Sequence, residues 1–103
     1  MNLYDYAFED IPVTYPTNGM ECRACGQAVV RYTWEGRNPA RNQNGTPVFV
    51  AFVDLTVDVQ LDDVTYVSID PDDAETIAAL AAQIYPQLDQ DHILDEIYDE
   101  ESF

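Results

Sequence analysis

Between Val53 and Asp62 the chain alternates without a break. Val53, Leu55, Val57, Val59 and Leu61 fall on one side, and Asp54, Thr56, Asp58, Gln60 and Asp62 on the other. A period of two marks a β-strand with one face in a core and the other in water, and a helix would mix the two sets. Asp62-Asp63 suits a tight turn, and Val64–Ile69 reads as the strand returning from it, so the centre of the chain predicts an antiparallel hairpin. A second alternation sets Ala28, Val30, Tyr32 and Trp34 against Val29, Arg31 and Thr33, predicting another strand. Ile11–Tyr15, with Pro12 inside it, fits a short edge strand. Glu35–Thr46, with Gly36, Pro39, Gly45 and three Asn, carries turn chemistry throughout.

After Ile69 the period changes. Asp70 is a good N-cap with Pro71 behind it, and Asp72, Asp73 and Glu75 stand where a helix dipole favours anions. Ile77, Leu80, Ala81 and Ile84 then form an apolar stripe at helical spacing, ended by Pro86. A second helix is expected from Asp89 or Asp91, with Ile93/Ile97 and Leu94/Tyr98 as pairs four residues apart. Asp99-Glu100-Glu101 would oppose the dipole at its end. The expectation is an α+β fold: a small antiparallel β-sheet of three to four strands with one or two C-terminal helices packed on one face. A chain of 103 residues suits one domain, here 1–98, followed by a frayed acidic tail over 99–103.

The charge is divided as sharply as the periodicity. Every arginine lies between residues 23 and 41, there is no lysine, and residues 1–41 hold five acids against four arginines. Residues 42–103 hold the other fifteen acids and no Lys or Arg, so the two parts net −1 and −15. A hydrophobic share of 47% sets the chain apart from disordered acidic proteins. Net charge of magnitude about 2–8 is enough to keep a small domain soluble, and self-repulsion destabilises a compact state. A cationic partner is the simplest reason for −16.

The placement of the acids gives that partner a character. Asp54, Asp58 and Asp62 recur every four residues along the strand, roughly 13 Å apart. Asp63, Asp70, Asp72, Asp73 and Glu75 gather at the hairpin turn and helix start, and Asp91, Asp95, Glu96 and Asp99 fall on the last helix. DNA offers a phosphate about every 3.4 Å of axis per strand, which its binding proteins meet with Lys and Arg. Rows of carboxylates on a rigid fold can occupy such a basic surface in its place. In size and charge the chain resembles the small acidic inhibitors of phages and mobile elements, which include restriction inhibitors, uracil-glycosylase inhibitors and some anti-CRISPR proteins. That resemblance implies a nonenzymatic, DNA-mimic-like protein, with those twelve acids meeting the basic surface of a nucleic-acid-binding protein or complex. It implies no direct contact with nucleic acid, and leaves a homodimer open. An ordinary domain from a halophilic organism is the alternative, although salt adaptation should acidify the whole surface, residues 1–41 included.

Cys22-Arg23-Ala24-Cys25-Gly26 resembles one knuckle of a zinc ribbon, in which two thiolates from one turn grip a tetrahedral metal. A ribbon has a second pair roughly 15–20 residues on, but Arg41–Pro47 contains neither Cys nor His. A reduced turn, a zinc site at Cys22 and Cys25 completed by His92, acids or a second chain, and a redox pair all remain open. A small metal-binding accessory domain is therefore a further alternative.

No catalytic constellation stands out. His92 is the one imidazole, Ser68 and Ser102 lack a nucleophile-elbow context, and no glycine loop or lysine could cradle a phosphate. Asp62–Asp73 lacks the central Gly and terminal Glu of a calcium loop. The first ten residues have neither a basic nor an apolar leader region, and the longest apolar run, Val48–Val53, is far short of the roughly 20 residues of a membrane helix. A soluble, cytoplasmic protein without a membrane partner is expected. Arg37 and Arg41 lie in the Gly36–Asn42 loop, able either to reach a partner or to fold back on the acidic face.

Overall fold

The computed structural model describes residues 2–101. Four strands, β1 (Asn2–Thr14), β2 (Glu21–Glu35), β3 (Thr46–Gln60) and β4 (Tyr66–Ser68), form one antiparallel sheet in chain order. Two helices follow, α1 (Ala74–Ile84), prolonged by a 3-10 turn over Tyr85–Gln87, and α2 (Gln90–Glu101). This is the expected α+β fold, with both helices on one face of a four-stranded meander. At roughly 3.3 Å per residue a fifteen-residue strand spans about 50 Å, and the molecule is accordingly elongated, 54 × 25 × 19 Å.

The strands are much longer than their visible alternation, because bulges break its phase. Phe8 pairs with Gly26 but Ile11 with Ala24, so β1 spends one extra residue there, and Asp10 takes the left-handed φ of 57°. Tyr4, Tyr6 and Phe8 face inward before the bulge, Ile11 and Val13 after it, so the sequence shows two fragments where the fold has one strand. β3 slips twice against β2, between Asp54 and Phe52 and again between Ala51 and Phe49. Val53, expected beside Leu55 on the core face, is therefore 38% exposed, and Phe52 and Phe49 pack on the core instead.

The core lies between one face of the sheet and the two helices. Ala24, Ala28 and Val30 of β2 and Leu55, Val57 and Val59 of β3 meet Leu80, Ile84, Ile93 and Ile97, all nearly or fully inaccessible. Each of these Val, Leu and Ile side chains contributes about 1.5–3 kcal/mol by leaving water. The alanines of the central strand leave room for the helices to approach. Tyr85, beside the helix-ending Pro86, stacks on Phe52 with ring centres 4.3 Å apart.

Side chains finish what the strands leave open. Gln83 of α1 accepts from the Thr14 N–H (2.7 Å) and donates to the Thr14 carbonyl (2.9 Å), taking the place of a neighbouring strand at the edge of β1. Gln87 donates to the Pro12 carbonyl at 2.8 Å. Such pairing blunts an edge that would otherwise template association. The start of α1 differs from expectation: Asp73, not Asp70, is its N-cap, accepting from the Thr76 N–H. Asp70 instead closes a turn onto the Asp72 N–H, because Asp side chains serve turns as readily as caps.

Candidate partner-binding surface

The fold turns the charge division into a division between layers. Residues 2–60 hold seven acids and four arginines, net −3, while residues 61–101 hold thirteen acids and no arginine or lysine, net −13. Among the described residues no charged side chain is buried. The reason is visible in α2, where Ile93 and Ile97 turn to the core and Asp91, Asp95 and Asp99 are all exposed. Those three acids are four residues apart, which stacks them along one side of the helix at about 6 Å intervals.

The twelve acids expected at a partner surface fall into three groups. Asp58 lies on the helix-free face of the sheet, opposite Cys25. Asp54 turns its carboxylate onto the Leu55 N–H, on a stretch of β3 that β4 does not cover. A second group serves local structure. Asp62 accepts from the Val64 and Thr65 N–H groups, which holds its pKa below the ordinary carboxylate value. Asp70 and Asp73 shape the entry to α1, and Glu96 receives the Tyr4 hydroxyl at 2.7 Å and stands 3.9 Å from His92 Nε2. In the third group the carboxylates of Asp63, Asp72, Glu75, Asp91, Asp95 and Asp99 accept no hydrogen bond from a described residue, and all six are exposed. They lie at the β3–β4 turn, the start of α1 and along α2. Asp58 and the helix acids that the sequence grouped together are thus separated by the thickness of the sheet, whereas Asp54 lies near enough to Tyr85 to help burial raise its phenol pKa.

Tyr4 is the interior anchor that sequence reasoning missed. Burial, and then its hydrogen bond to Glu96, push the phenol well above its ordinary pKa. Tyr6 beside it is raised by burial and by Glu96 and Asp89, and meets His92 edge-on with ring centres 6.1 Å apart. The signal was present in the Tyr4-x-Tyr6-x-Phe8 alternation, cut short by the bulge. Tyr32 is raised by burial and by Glu101.

Arg37 folds back. It donates to the Glu101 carbonyl oxygen at 2.7 Å, and its guanidinium sits 4.2 Å from the centre of the Trp34 ring. A cation at a helix C-terminus complements the dipole that the terminal acids oppose, and α2 accordingly continues to Glu101. Of the tail expected over 99–103, residues 102 and 103 lie outside the described residues. Arg23, Arg31 and Arg41 come within 4 Å of no carboxylate among the described residues.

The cysteines do not sit on a turn. Both lie inside β2, where residues three apart point to opposite faces. Cys22 is buried, its thiol 3.7 Å from the Val13 carbonyl oxygen, while Cys25 lies on the far face opposite Asp58. Gly26, which ends the knuckle-like run, is a strand residue at φ 150° beside the β1 bulge. Burial raises both thiol pKa values, and Asp58 and Glu9 raise that of Cys25 further, which disfavours the thiolate that metal binding or redox exchange needs. Among the described residues no three His, Cys, Asp or Glu side chains converge to hold a metal ion.

No family model matches this chain, and neither the curated proteins nor the solved structures contain a match to it. No described helix is long and apolar enough to cross a membrane.

Proposed function

We propose that this protein is a nonenzymatic inhibitor whose acidic helical layer covers a basic, nucleic-acid-binding surface on another protein, in the manner of a DNA mimic. The supporting observation is the segregation of charge: net −13 on the part that forms β4 and the helices, with no cation there, against −3 on the rest. An acidic surface of this kind attracts Lys- and Arg-rich clefts and repels phosphate, so the partner is a protein and not the nucleic acid itself. Such a protein needs no cofactor and acts where its target does, in the cytoplasm. A phage-encoded anti-defence role, against CRISPR or restriction machinery, fits this chemistry.

Immobilised protein tests the proposal. A basic partner should be retained from host lysate at low salt, released as salt rises from about 50 to about 200 mM, which roughly halves the Debye length, and displaced by added duplex DNA. A partner whose affinity is unchanged over that range, or one that binds DNA and this protein together, contradicts it. An activity that depends on molar salt for folding alone would favour adaptation of the whole surface.

A further inference from the structure

Where α2 crosses the start of β3 there is a groove of about 290 Å³, lined by Thr46, Pro47, Asp91, Leu94, Asp95 and Tyr98. Pro47 is buried and Leu94 half-buried, so the floor is apolar, and Tyr98, 41% exposed, offers an aromatic wall. Asp91 and Asp95, one helical turn apart, stand on the rim. The fold gives their carboxylates no hydrogen-bonding task, unlike Asp62, Asp73 or Glu96. An apolar slot edged by carboxylates is poorly matched to water or to an anion. It is well matched to a side chain with a long apolar stem and a charged head.

Arginine meets these demands better than lysine. Its stem can lie on Pro47 and Leu94, its flat guanidinium on the Tyr98 ring, and its fork of N–H donors on the two carboxylates. The adjoining corner already holds a guanidinium on an aromatic face: Arg37 lies over Trp34, whose ring centre is 6.3 Å from that of Tyr98. The larger concavity at the other end of the sheet, about 680 Å³, has a different character, with Arg23 set among Asp10, Glu21, Asp62 and Asp63.

We infer that this groove is the anchor for one arginine of the partner's basic surface. The inference rests on the proposed function and gives it a specific point of contact. Salt-dependent attraction by the whole acidic layer would bring the partner in, and the groove would select guanidinium over ammonium once there.

Two blocked tripeptides, acetyl-Gly-Arg-Gly-amide and acetyl-Gly-Lys-Gly-amide, test it by titration against the labelled full chain, followed through backbone amide NMR shifts. The arginine peptide should shift Asp91, Leu94, Asp95 and Tyr98 and bind about fivefold more tightly than the lysine peptide. The D91N/D95N variant should lose about tenfold in affinity, whereas D5N/E9Q, with the same change in charge on β1, should stay within about twofold. Equal affinity for the two peptides, equal losses in the two variants, or no shift at the four groove amides overturns the inference. The function itself is judged separately: if the wild-type chain captures a basic partner with salt sensitivity and D91N/D95N captures it equally well, the groove is refuted and the acidic layer stands. If the wild-type chain captures none, the function falls.

Discussion

Strands β1–β3 and the loops that join them mix seven acids with four arginines, whereas the segment after them carries thirteen acids and no arginine or lysine, although both build the same core. The difference follows from how each element is held. β2 is flanked by strands on both sides, and its small inward residues Ala24 and Ala28 are set by the helices above them. Each helix commits only a stripe, Leu80 and Ile84 in α1 and Ile93 and Ile97 in α2, and leaves the rest of its surface free of packing demands. Acids therefore accumulate where folding constrains the side chain least. Charge that packing does not require, on the layer most open to a partner, is what makes an interaction surface the economical explanation.

The comparison breaks most easily in the core that joins the layers. Leu80→Ala and Ile93→Ala should each cost about 2–5 kcal/mol, with strands and helices lost in one urea transition. A variant that loses its helical signal while the sheet persists would show that the layers are independent. Next in size is Gly26→Ala. Gly26 holds φ 150°, and an added Cβ would run into the Thr56 carbonyl oxygen across the β2–β3 pairing, so a loss of about 2 kcal/mol or more is expected in the same assay. An unchanged midpoint would mean that the close β2–β3 approach at Gly26 is not needed.

Tyr4→Phe tests the polar tie between the layers and should cost about 1 kcal/mol. Its pH dependence has a definite sign. The folded protein holds the phenol neutral, above its ordinary pKa of 10.0. The stability so gained is complete below pH 10 and is lost as pH rises through the folded-state value. Wild-type protein should therefore weaken in alkali more steeply than Tyr4→Phe, and parallel curves would show that the fold does not hold the Tyr4 phenol neutral. The smallest effect is expected at the surface: Asp95→Asn should leave stability within about 0.5 kcal/mol, since its exposed carboxylate serves no described hydrogen bond. A large loss would show that the acid is structural.

The legible parts of the fold are those where period and turn chemistry agree. The second half of β3, the β3–β4 hairpin and both helices announce themselves through Leu55-Val57-Val59, Asp62-Asp63 and the Ile and Leu stripes. β1 did not, because the extra residue at Asp10 resets the alternation that Tyr4 began, and Val50 and Val53 do the same in β3. Cys22–Gly26 looks like a turn because its residue types suit one; pairing with strands on both sides overrides that preference. Asp70-Pro71 is a sound helix start in isolation, yet the chain spends it on a turn and begins α1 three residues later. The acids themselves were readable one by one. Their division between the two sides of the sheet was not, because it depends on which face the helices cover. The same holds for the groove, which brings Pro47 at the start of β3 beside Tyr98 of α2.

The central claim is that the helical layer, and not acidity in general, carries recognition. The most direct measurement is the affinity of the captured partner for two variants with the same change in charge: D91N/D95N/D99N on α2, and D5N/E9Q/E21Q on the strands. The α2 variant should bind at least about tenfold more weakly than wild type, with a shallower salt dependence, and the strand variant should stay within about twofold. Equal losses in the two variants would contradict the account.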